Sequence, residues 1–396
     1  MSKNVWIAGG GVICGIGQDL PSCLDAFEKM QPGMAVMQHL HSVHAQTFPV
    51  VEVKAGNDEL ARRAGMPAQL SRTALLSMIA AKEAWESTGL GDISGYRAGF
   101  VSANTVGGMD KTEHFFTSFL EDNSKGRLRE TVHHECGSIT ELVADALGVR
   151  HHISTISTAC SSGANALMYG ARMIRSGMLD VVIAGGTDAL TRFTLNGFNT
   201  LMILDQQKCR PFDDTRTGLN LGEGAGYVVL VSEELAAKIK PWCRLSGFAN
   251  ANDAYHQTAS SPDGTGNFLA MQGALDMSGL QPADIAYINL HGTGTQNNDS
   301  SEGLAIKRLF ETDFPPVSST KSFTGHTLGA SGGIEAVFSA YAVKEGIIYP
   351  NAQFTTQMKE LPFSPVTTFS RGHELKHVMS NSFGFGGNCS SLVFSK

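Results

Sequence analysis

Four separated segments of the sequence each combine a chemically useful feature with glycine or other small residues. In chain order they span residues 158–163, 291–295, 321–326 and 381–387. Together they offer the sulfur of Cys160, the imidazoles of His291 and His326, the ammonium group of Lys321 and a flexible backbone turn around Phe385. A nucleophile, polar groups that can stabilise an oxyanion and room for a substrate are what acyl transfer through a thioester requires.

The surroundings of Cys160 predict a nucleophile at the start of a helix. The apolar run 153–156 predicts a strand, and apolar residues then recur at helical spacing from Ala164 to Ile174, just before Gly177. A thiolate at a helix N-terminus faces unpaired N–H groups, so we expect its pKa to be lowered. A buried structural cysteine is the alternative, and it is the interpretation that we keep for the other six cysteines.

The two histidines follow different local patterns. His291 comes directly after the apolar run 285–290 and opens a glycine-rich loop, whereas His326 precedes small residues that predict a closely packed helix. A structural imidazole is the alternative for each of them. Two neutral imidazoles that donate hydrogen bonds to a thioester oxygen would stabilise an enolate, which explains why a single site would keep both.

The order, spacing and composition of these segments, together with residues 210–213, 222–226 and 253–256, resemble the β-ketoacyl-acyl-carrier-protein synthases of the Cys-His-His type. These are condensing enzymes of the thiolase-like superfamily, and the resemblance extends over essentially the whole chain. It implies an α/β thiolase-like fold with duplicated βαβ-rich halves in five αβαβα layers. The alternation of short apolar runs with helical patterns independently favours an α/β fold.

The charged stretch 233–240, which follows the strand-like run 227–231, predicts the boundary between the halves. Residues 1–240 would form the N-terminal half with the nucleophile. Residues 241–396 would form the C-terminal half with the histidines, the lysine and the glycine-rich gate turn.

The resemblance also implies residue roles. The catalytic set would be Cys160, His291, His326, Lys321 and Glu302, with Lys321 and Glu302 as a buried pair that orients the histidines. The backbone N–H of Phe385 would join that of Cys160 in an oxyanion hole. Gly384 and Gly386 would let the Phe385 ring move as a gate, although a glycine-rich hairpin turn is the structural alternative.

Substrate contacts are implied in the same way. Thr293 and Thr295 match positions that bind the phosphopantetheine arm of an acyl carrier protein, Val106 matches a residue that limits the acyl pocket, and His256 lies in a matching motif. The basic residues expected to contact the acidic carrier protein are Arg210, Arg62, Arg63 and Arg72. Ordinary turn hydroxyls and solvated helix arginines are the alternatives.

The implied reaction is a decarboxylative Claisen condensation, in which a Cys-bound acyl chain is extended by two carbons from malonyl-carrier protein. Two departures from the fatty-acid enzymes leave the pathway open. Gly294 and Gln296 stand where those enzymes usually have Ser and Pro, which is closer to polyketide and aryl-polyene ketosynthases. Asn388 and Cys389 replace the usual Thr-Asn pair after the Phe385 turn.

Two other functions of the same fold are alternatives. One is a chain-length factor, a non-condensing partner subunit of a ketosynthase, whose members generally lack the active cysteine. The other is a CoA-dependent thiolase-type acyltransferase, which carries a second catalytic cysteine near its C-terminus; Cys389 is a formal candidate. The intact Cys160, His291 and His326 argue against the first, and the segments around His326 and Phe385 argue against the second.

Bulk properties narrow the function classes further. The net charge of −7 gives no general attraction to nucleic acid or to anionic membranes, and no apolar run predicts a signal peptide or a spanning helix. The seven cysteines are odd in number and never form a Cys-x-x-Cys pair, which favours reduced thiols and a cytoplasmic protein. The resemblance implies a homodimer, with a heterodimer possible, and no bound cofactor beyond the carrier protein's phosphopantetheine.

Some sequence patterns are similar to nucleotide-binding or metal-binding motifs but do not match them. Residues 9–17 are rich in glycine but fit no dinucleotide-binding motif, so we interpret them as a tight structural turn. The histidines near residues 39–44, 133–136 and 151–152 lack a matching second half at metal-ligand spacing, and we predict no metal site.

Overall fold

A computed structural model describes residues 4–396 as ten strands and twelve α-helices. The strands are β1 (Val5–Cys14), β2 (Ala98–Ala103), β3 (His152–Ile156), β4 (Val181–Asp188), β5 (Gly224–Ser232), β6 (Cys243–Asn252), β7 (Tyr287–Asn289), β8 (Val317–Ser318), β9 (His377–Gly384) and β10 (Asn388–Ser395). The helices are α1 (Leu20–Glu28), α2 (Asn57–Ala64), α3 (Arg72–Glu86), α4 (Met109–Glu121), α5 (Cys136–Leu147), α6 (Ser162–Arg175), α7 (Arg192–Thr200), α8 (Glu233–Ala236), α9 (Thr265–Ser278), α10 (Gln296–Phe310), α11 (Lys321–Thr324) and α12 (Ser331–Glu345).

The strand order shows an internal repeat. The order β3-β2-β4-β5-β1 in the first half is matched by β8-β7-β9-β10-β6 in the second. The strand directions match as well: β2 is parallel to β3 and β4, as β7 is to β8 and β9, and the remaining pairs within each half are antiparallel. The two half-sheets join edge to edge where Trp6 and Ile7 pair with Arg244 and Cys243. The predicted duplication is therefore confirmed.

The three largest hydrophobic cores fill the spaces between five layers, with the central core on both sides of the middle helix layer. The first core lies under α3 and α5 on the outer face of the first half-sheet, and the third lies under α9 and α10 on the outer face of the second. The largest core surrounds α6 and α12, which contact each other and pack between the two half-sheets. The predicted αβαβα layering is confirmed, and it places the N-termini of the two central helices near the chain segments that carry the reactive groups.

The glycine-rich segment near the N-terminus differs from its prediction. Residues 9–14 belong to β1, and only the stretch from Cys14 to Gly17 forms a turn, which two backbone hydrogen bonds close. The glycines allow α3 to approach the strand, because a Cβ at Gly11 would collide with the carbonyl oxygen of Ala80. Among the described residues, no helix is long and apolar enough to cross a membrane.

Candidate active site

Cys160 lies in a strained turn between β3 and α6. Ala159, directly before it, has a φ of +52°, a left-handed conformation that non-glycine residues rarely adopt. The hydroxyl group of Ser162 accepts a hydrogen bond from Thr158 N at 2.8 Å and thereby closes the turn. A Cβ at Gly163 would collide with the backbone of Gly333, so glycine at this position lets α6 and α12 meet closely. The predicted strand-to-helix context of the nucleophile is therefore present.

The structure brings the three predicted reactive groups together. The Sγ atom of Cys160 and one ring nitrogen each of His291 and His326 all lie within 4.8 Å of one another, and all three residues are buried. Cys160 comes from the first half, His291 follows β7, and His326 follows α11 in the second half. They line one cavity of about 430 Å³, together with Thr293, Thr295 and Phe385 among others.

Hydrogen bonds fix which ring nitrogen of each histidine carries the proton. His291 Nδ1 lies 3.2 Å from the Nζ atom of Lys321, which can only donate, and His326 Nδ1 accepts from the backbone N–H of Leu328 at 3.0 Å. Burial, followed by the charge of Lys321, lowers the pKa of His326 to about 3 and lowers that of His291 well below its usual range. Both rings are thus neutral at physiological pH and keep Nε2–H as a donor.

The same tautomers bear on metal binding. A cysteine and two histidines at this separation match a soft-metal ligand set by residue type. A metal ligand needs a free ring lone pair, however, and the Nδ1 lone pairs are already occupied by hydrogen-bond donors while Nε2 carries the proton. The arrangement therefore favours hydrogen-bond donation to a substrate oxygen over metal ligation.

Lys321 is buried, but its acidic partner differs from the predicted one. Its Nζ atom lies 2.5 Å from Glu335 Oε1 on α12, not next to Glu302. Glu302 instead accepts hydrogen bonds from the backbone N–H groups of His291 and Gly292 and from the side chain of Asn381. Burial raises the pKa of each of these two carboxyl groups to about 7. The Lys321–Glu302 pairing was thus wrong, and Glu302 holds the His291 loop by its backbone.

The acidity of Cys160 also differs from its prediction. Burial is the largest influence and raises the pKa of the thiol to about 11, although the Phe385 backbone N–H and the charge of Lys321 both lower it. The expected lowering at a helix N-terminus was therefore wrong for this closed site. With this pKa, Cys160 is a neutral thiol at physiological pH.

The turn that contains Phe385 lies directly against the Cys160 turn. A Cβ placed on Gly384 would lie 3.1 Å from Cys160 N and 3.2 Å from Ser161 N, so only glycine leaves this approach relaxed. The turn is fastened on its other side, where Gly386 N donates to Gln257 O at 2.7 Å and Asp253 N donates to Gly387 O at 2.8 Å. The Phe385 ring stacks on Phe198 of α7, with centroids 5.8 Å apart.

The two predicted threonines line the cavity, and a buried ion pair supports their loop. Thr293 and Thr295 have their hydroxyl oxygens 3.0 Å apart. Asp299, at the start of α10, accepts from Thr293 N and Gly294 N, and Arg216 lies 3.8 Å from that carboxylate and donates to Thr295 O. The loop is therefore positioned by side chains that the sequence interpretation did not single out.

Two predicted substrate residues lie elsewhere. Val106 is buried but does not line the cavity; its backbone N–H donates to Asp188, whose carboxylate also accepts from Gly329 N near His326. His256 lies on an exposed loop, and its Nδ1 accepts from Thr258 N at 3.1 Å. In this conformation neither side chain reaches Cys160.

The four arginines predicted to bind a carrier protein differ in exposure. Arg72 is buried and forms an ion pair with Glu223 at 2.7 Å, so its prediction as a surface contact was wrong. Arg63 is partly buried and donates to the side chain and carbonyl oxygen of Gln18. Arg62 is exposed on α2, and Arg210 is partly buried. None of the four lines the cavity.

Two functional neighbours were missed by the sequence interpretation. Glu335 is the only charged residue from Ser331 to Val343, and an isolated acid within a run of small and apolar residues was a usable signal for a buried partner. Phe198, which stacks on Phe385, lies on a short helix with no distinguishing pattern around it. Its role depends on a contact between distant parts of the chain.

A duplicated α/β fold that brings a buried cysteine and two neutral histidines together in one cavity is typical of the thiolase-like acyltransferases. Two family models match the chain: "Beta-ketoacyl synthase, N-terminal domain" over residues 51–236 and "Beta-ketoacyl synthase, C-terminal domain" over residues 242–355. The chain belongs to the β-ketoacyl synthase family, whose members are condensing enzymes.

Similar curated proteins and solved structures agree with this family assignment. The chain is 32% identical to 3-oxoacyl-[acyl-carrier-protein] synthase 2 of Staphylococcus aureus (strain N315), with 100% of this chain and 99% of that protein covered. It is 31% identical to Nodulation protein E of Rhizobium meliloti over 100% of both.

Among solved structures, the ishigamide ketosynthase/chain length factor superposes with a TM-score of 0.94 at 26% identity and full coverage of both chains. The ketosynthase ApeO in complex with its chain length factor ApeC, from Xenorhabdus doucetiae, gives 0.85 at 29% identity, with 99% and 98% covered.

Proposed function

We propose that the protein is a 3-oxoacyl-[acyl-carrier-protein] synthase. It takes an acyl chain onto Cys160 and condenses it with malonyl-carrier protein by a decarboxylative Claisen reaction. The observation that carries the proposal is the convergence of the Cys160 sulfur with two neutral imidazoles in one cavity. A nucleophile beside two uncharged hydrogen-bond donors suits both halves of the reaction.

The first half-reaction transfers the acyl chain. The sulfur of Cys160 attacks the thioester carbonyl, the carrier's thiol leaves, and the thiol proton of Cys160 passes to that leaving sulfur. The negative charge that develops on the carbonyl oxygen is stabilised by the backbone N–H groups of Cys160 and Phe385. Support comes from the close approach of the two turns and from the Phe385 N–H, which points at the Cys160 sulfur.

The second half-reaction forms the carbon–carbon bond. Malonyl thioester loses carbon dioxide, and the Nε2–H groups of His291 and His326 stabilise the enolate oxygen that results. The enolate carbon attacks the acyl-Cys160 carbonyl, the thiolate of Cys160 leaves and takes up a proton, and a 3-oxoacyl thioester two carbons longer is released. Lys321 keeps His291 neutral and oriented, with Glu335 as its counter-charge.

The substrate arm would enter beside the threonine loop. Thr293 and Thr295 line the cavity with their hydroxyl groups, which suits hydrogen bonds to the amides of a phosphopantetheine arm. The acyl chain would pass the gate formed by Phe385 and Phe198, and Val106 would limit its depth once that gate opens. His256, on the exposed loop after β6, would contact the carrier at the entrance.

The acyl carrier protein would dock through exposed cations. Arg62 is exposed on α2 and is the most available of them to an acidic partner. Arg210 is partly buried and Arg63 is already engaged by Gln18, so both would be weaker contacts. Arg72 is left out of this surface because Glu223 holds it in the interior.

A second subunit would pair at the free edge of β3. This strand ends the sheet and leaves Ile153 exposed, and the connection before it exposes further apolar side chains, including Leu120, Leu128 and Val132. We propose a homodimer, working in the cytoplasm, in which residues 1–240 supply the nucleophile and residues 241–396 supply the histidines. The alternative assembly is a heterodimer with a chain-length factor, which the names of two of the similar structures describe.

Two other functions are less well supported. A chain-length factor would not need a sulfur and two neutral imidazoles in contact, and this chain has them. A thiolase-type enzyme would need a second reactive thiol. Cys389 lines the same cavity, but its Sγ already donates to Asn267 Oδ1 at 3.1 Å. Strong activity with acetoacetyl-CoA in the absence of a carrier protein would favour the thiolase function.

The test is intact-protein mass spectrometry of the wild type and of Cys160→Ala after mixing with saturated and polyunsaturated acyl-carrier proteins, followed by malonyl-dependent elongation. Cys136→Ala, at a partly exposed thiol outside the cavity, is the matched control. We expect acylation of wild type and control only, and a 3-oxo product two carbons longer. The preferred chain would distinguish fatty-acid from polyene or polyketide synthesis, whereas no acylation by any chain would overturn the proposal.

A further inference from the structure

Asn388, the first residue after the gate turn, collects an unusual set of hydrogen bonds. Its side-chain oxygen Oδ1 accepts from Ser161 Oγ at 2.8 Å, from Asn165 Nδ2 at 2.9 Å and from Asn250 Nδ2 at 2.7 Å. These donors come from the start of α6, the interior of α6 and strand β6. One amide oxygen at the start of β10 thus contacts both α6 and β6, and it shares the single hydroxyl proton of Ser161 with a second acceptor, Thr158 O, which is also 2.8 Å away.

The surrounding network determines how the Asn388 amide is turned. Asn165 uses its own oxygen to accept from Ser390 Oγ and Asn250 Nδ2, so its NH₂ group faces Asn388. Asn250 likewise presents its NH₂ group. If Asn388 were flipped, its NH₂ would face two other NH₂ groups, so only the oxygen satisfies this cluster.

The position of this cluster connects it to the oxyanion hole. One donor of the hole is Cys160 N, in the turn that Ser161 completes; the other is Phe385 N, in the turn that Asn388 ends. The two turns belong to different halves of the chain, and the separation of their N–H groups must suit a single oxygen atom. The Ser161–Asn388 hydrogen bond links these two turns, because Ser161 directly follows Cys160 and Asn388 is three residues after Phe385.

We propose that Asn388 is a positioning residue that sets the spacing of the two oxyanion-hole N–H groups by holding Ser161. The inference rests on the proposed acyl transfer to Cys160. It predicts an effect confined to the step that uses this hole, because decarboxylation relies on His291 and His326, whose own hydrogen bonds do not involve Asn388.

The experiment compares two rates in the same full-length proteins. Acyl transfer from an acyl-carrier protein to Cys160 is timed by intact mass, and carbon dioxide release is measured with malonyl-carrier protein. Loss of an oxyanion donor typically costs about 10² to 10³ in rate. A donor that is displaced but still present should cost less, and we expect Asn388→Ala to slow acylation about tenfold while decarboxylation changes less than about twofold.

Two companion variants separate positioning from general destabilisation. Ser161→Ala removes the same hydrogen bond from its other end, together with the hydrogen bond from Ser161 Oγ to Thr158 O, and it should slow acylation to at least a similar degree. The double variant should be no slower than Ser161→Ala, because that change already breaks the Ser161–Asn388 interaction. Ser390→Ala disturbs the same cluster without touching Ser161 and should acylate at the wild-type rate.

The outcomes distinguish this inference from the proposed function. Acylation of Asn388→Ala at the wild-type rate, additive effects of the two single variants, or an equal loss in Ser390→Ala would each overturn the positioning role and leave the condensing function standing. A parallel fall in decarboxylation would also overturn it. A wild-type protein that never acylates would overturn both.

Discussion

Lys321 lies between His291 and Glu335 in the interior of the protein. Its Nζ atom is 3.2 Å from His291 Nδ1 and 2.5 Å from Glu335 Oε1, and all three residues are buried. The lysine therefore has two consequences for the site. It donates to the imidazole and so fixes the tautomer that carries its proton on Nε2, and its charge lowers the pKa of the ring.

Replacing Lys321 by Met is expected to slow decarboxylation of malonyl-carrier protein about 100-fold, because His291 loses the donor that holds its proton on Nε2. The rate of carbon dioxide release is the measurement. The substitution also leaves Glu335 buried without its counter-charge, which by itself destabilises the fold.

The double variant Lys321→Met with Glu335→Gln separates these two effects. Removing the unpaired carboxyl group should restore the midpoint of urea unfolding toward that of the wild type, while decarboxylation stays slow. Recovery of the rate together with the stability would mean that Lys321 acts only through the fold.

The reactive groups of this site can be recognised in the sequence, but their partners cannot. Cys160, His291 and His326 each lie in a short segment whose glycines and strand or helix signals are local, so their types and surroundings could be predicted together. The pairing of Lys321 with Glu335 depends on how α12 packs under the histidine loops. A spacing in sequence cannot decide between Glu302 and Glu335 when both are buried.

The acidity of Cys160 is a second case of this kind. The helix start predicts a lowered pKa, and the Phe385 N–H and Lys321 do act in that direction, but closure of the cavity over the sulfur outweighs them. Burial by residues from the other half of the chain is a tertiary property. It can be assessed only once the two halves are packed.

The raised pKa of Cys160 has a direct consequence for its reactivity. With a pKa of about 11, the thiolate fraction of the free protein rises about tenfold for each pH unit up to that value. Alkylation of Cys160 by iodoacetamide, followed by peptide mass, should therefore increase about tenfold per unit from pH 7 to pH 9. A rate that levels off near pH 7 would show that the helix terminus dominates after all.

Buried neutral histidines should weaken the fold in acid. The folded-state pKa of His326 is about 3, whereas the unfolded residue titrates near its ordinary value of 6.5, so only the unfolded state takes up a proton as pH falls below 6.5. Each pH unit in this range costs about 1.4 kcal/mol per histidine. When the pH falls from 6.5 to 5, the unfolding free energy of the wild type should therefore decrease by about 2 kcal/mol more than that of His326→Asn.

Comparison of the two proteins isolates this histidine. Glu83, Glu302 and Glu335, with pKa values of about 7, and Asp188, with about 6, titrate in the opposite sense: their raised values make the fold less stable as pH rises through this region. These carboxyl groups are common to both proteins, so their contribution cancels. Urea unfolding at the two pH values is the measurement, and equal losses would contradict a buried neutral His326.

Gly384→Ala tests the contact between the gate turn and the nucleophile. The added Cβ would lie 3.1 Å from Cys160 N, so the two turns must separate by a few tenths of an ångström. Acyl transfer to Cys160 should fall at least tenfold, because the Phe385 N–H moves away from the oxyanion position. Gly137→Ala, in α5, meets no atom within 4 Å and should acylate normally. An unchanged rate in Gly384→Ala would show that the turn is free to move.

Arg72 shows how burial changes the meaning of a basic residue. Its Nε and Nη2 donate to Glu223, and its Nη1 and Nη2 also donate to the carbonyl oxygens of Ala55 and Val53. Arg72→Met would leave the Glu223 carboxylate buried without a counter-charge, which typically costs about 3 to 5 kcal/mol. We expect the unfolding free energy to fall by about that amount, whereas Arg62→Met, at an exposed position on α2, should change it by less than about 0.5 kcal/mol.

For binding of a carrier protein we expect the opposite of the effects on stability, with a larger effect of Arg62→Met than of Arg72→Met. Arg62→Met removes a cation that a partner can reach, so it should raise the KM for acyl-carrier protein and make it less sensitive to salt. Arg72→Met, measured at a temperature where it remains folded, should leave that KM unchanged because the guanidinium is buried against Glu223. If instead Arg72→Met raised the KM without loss of stability, the Arg72–Glu223 pair would have to open when the carrier binds.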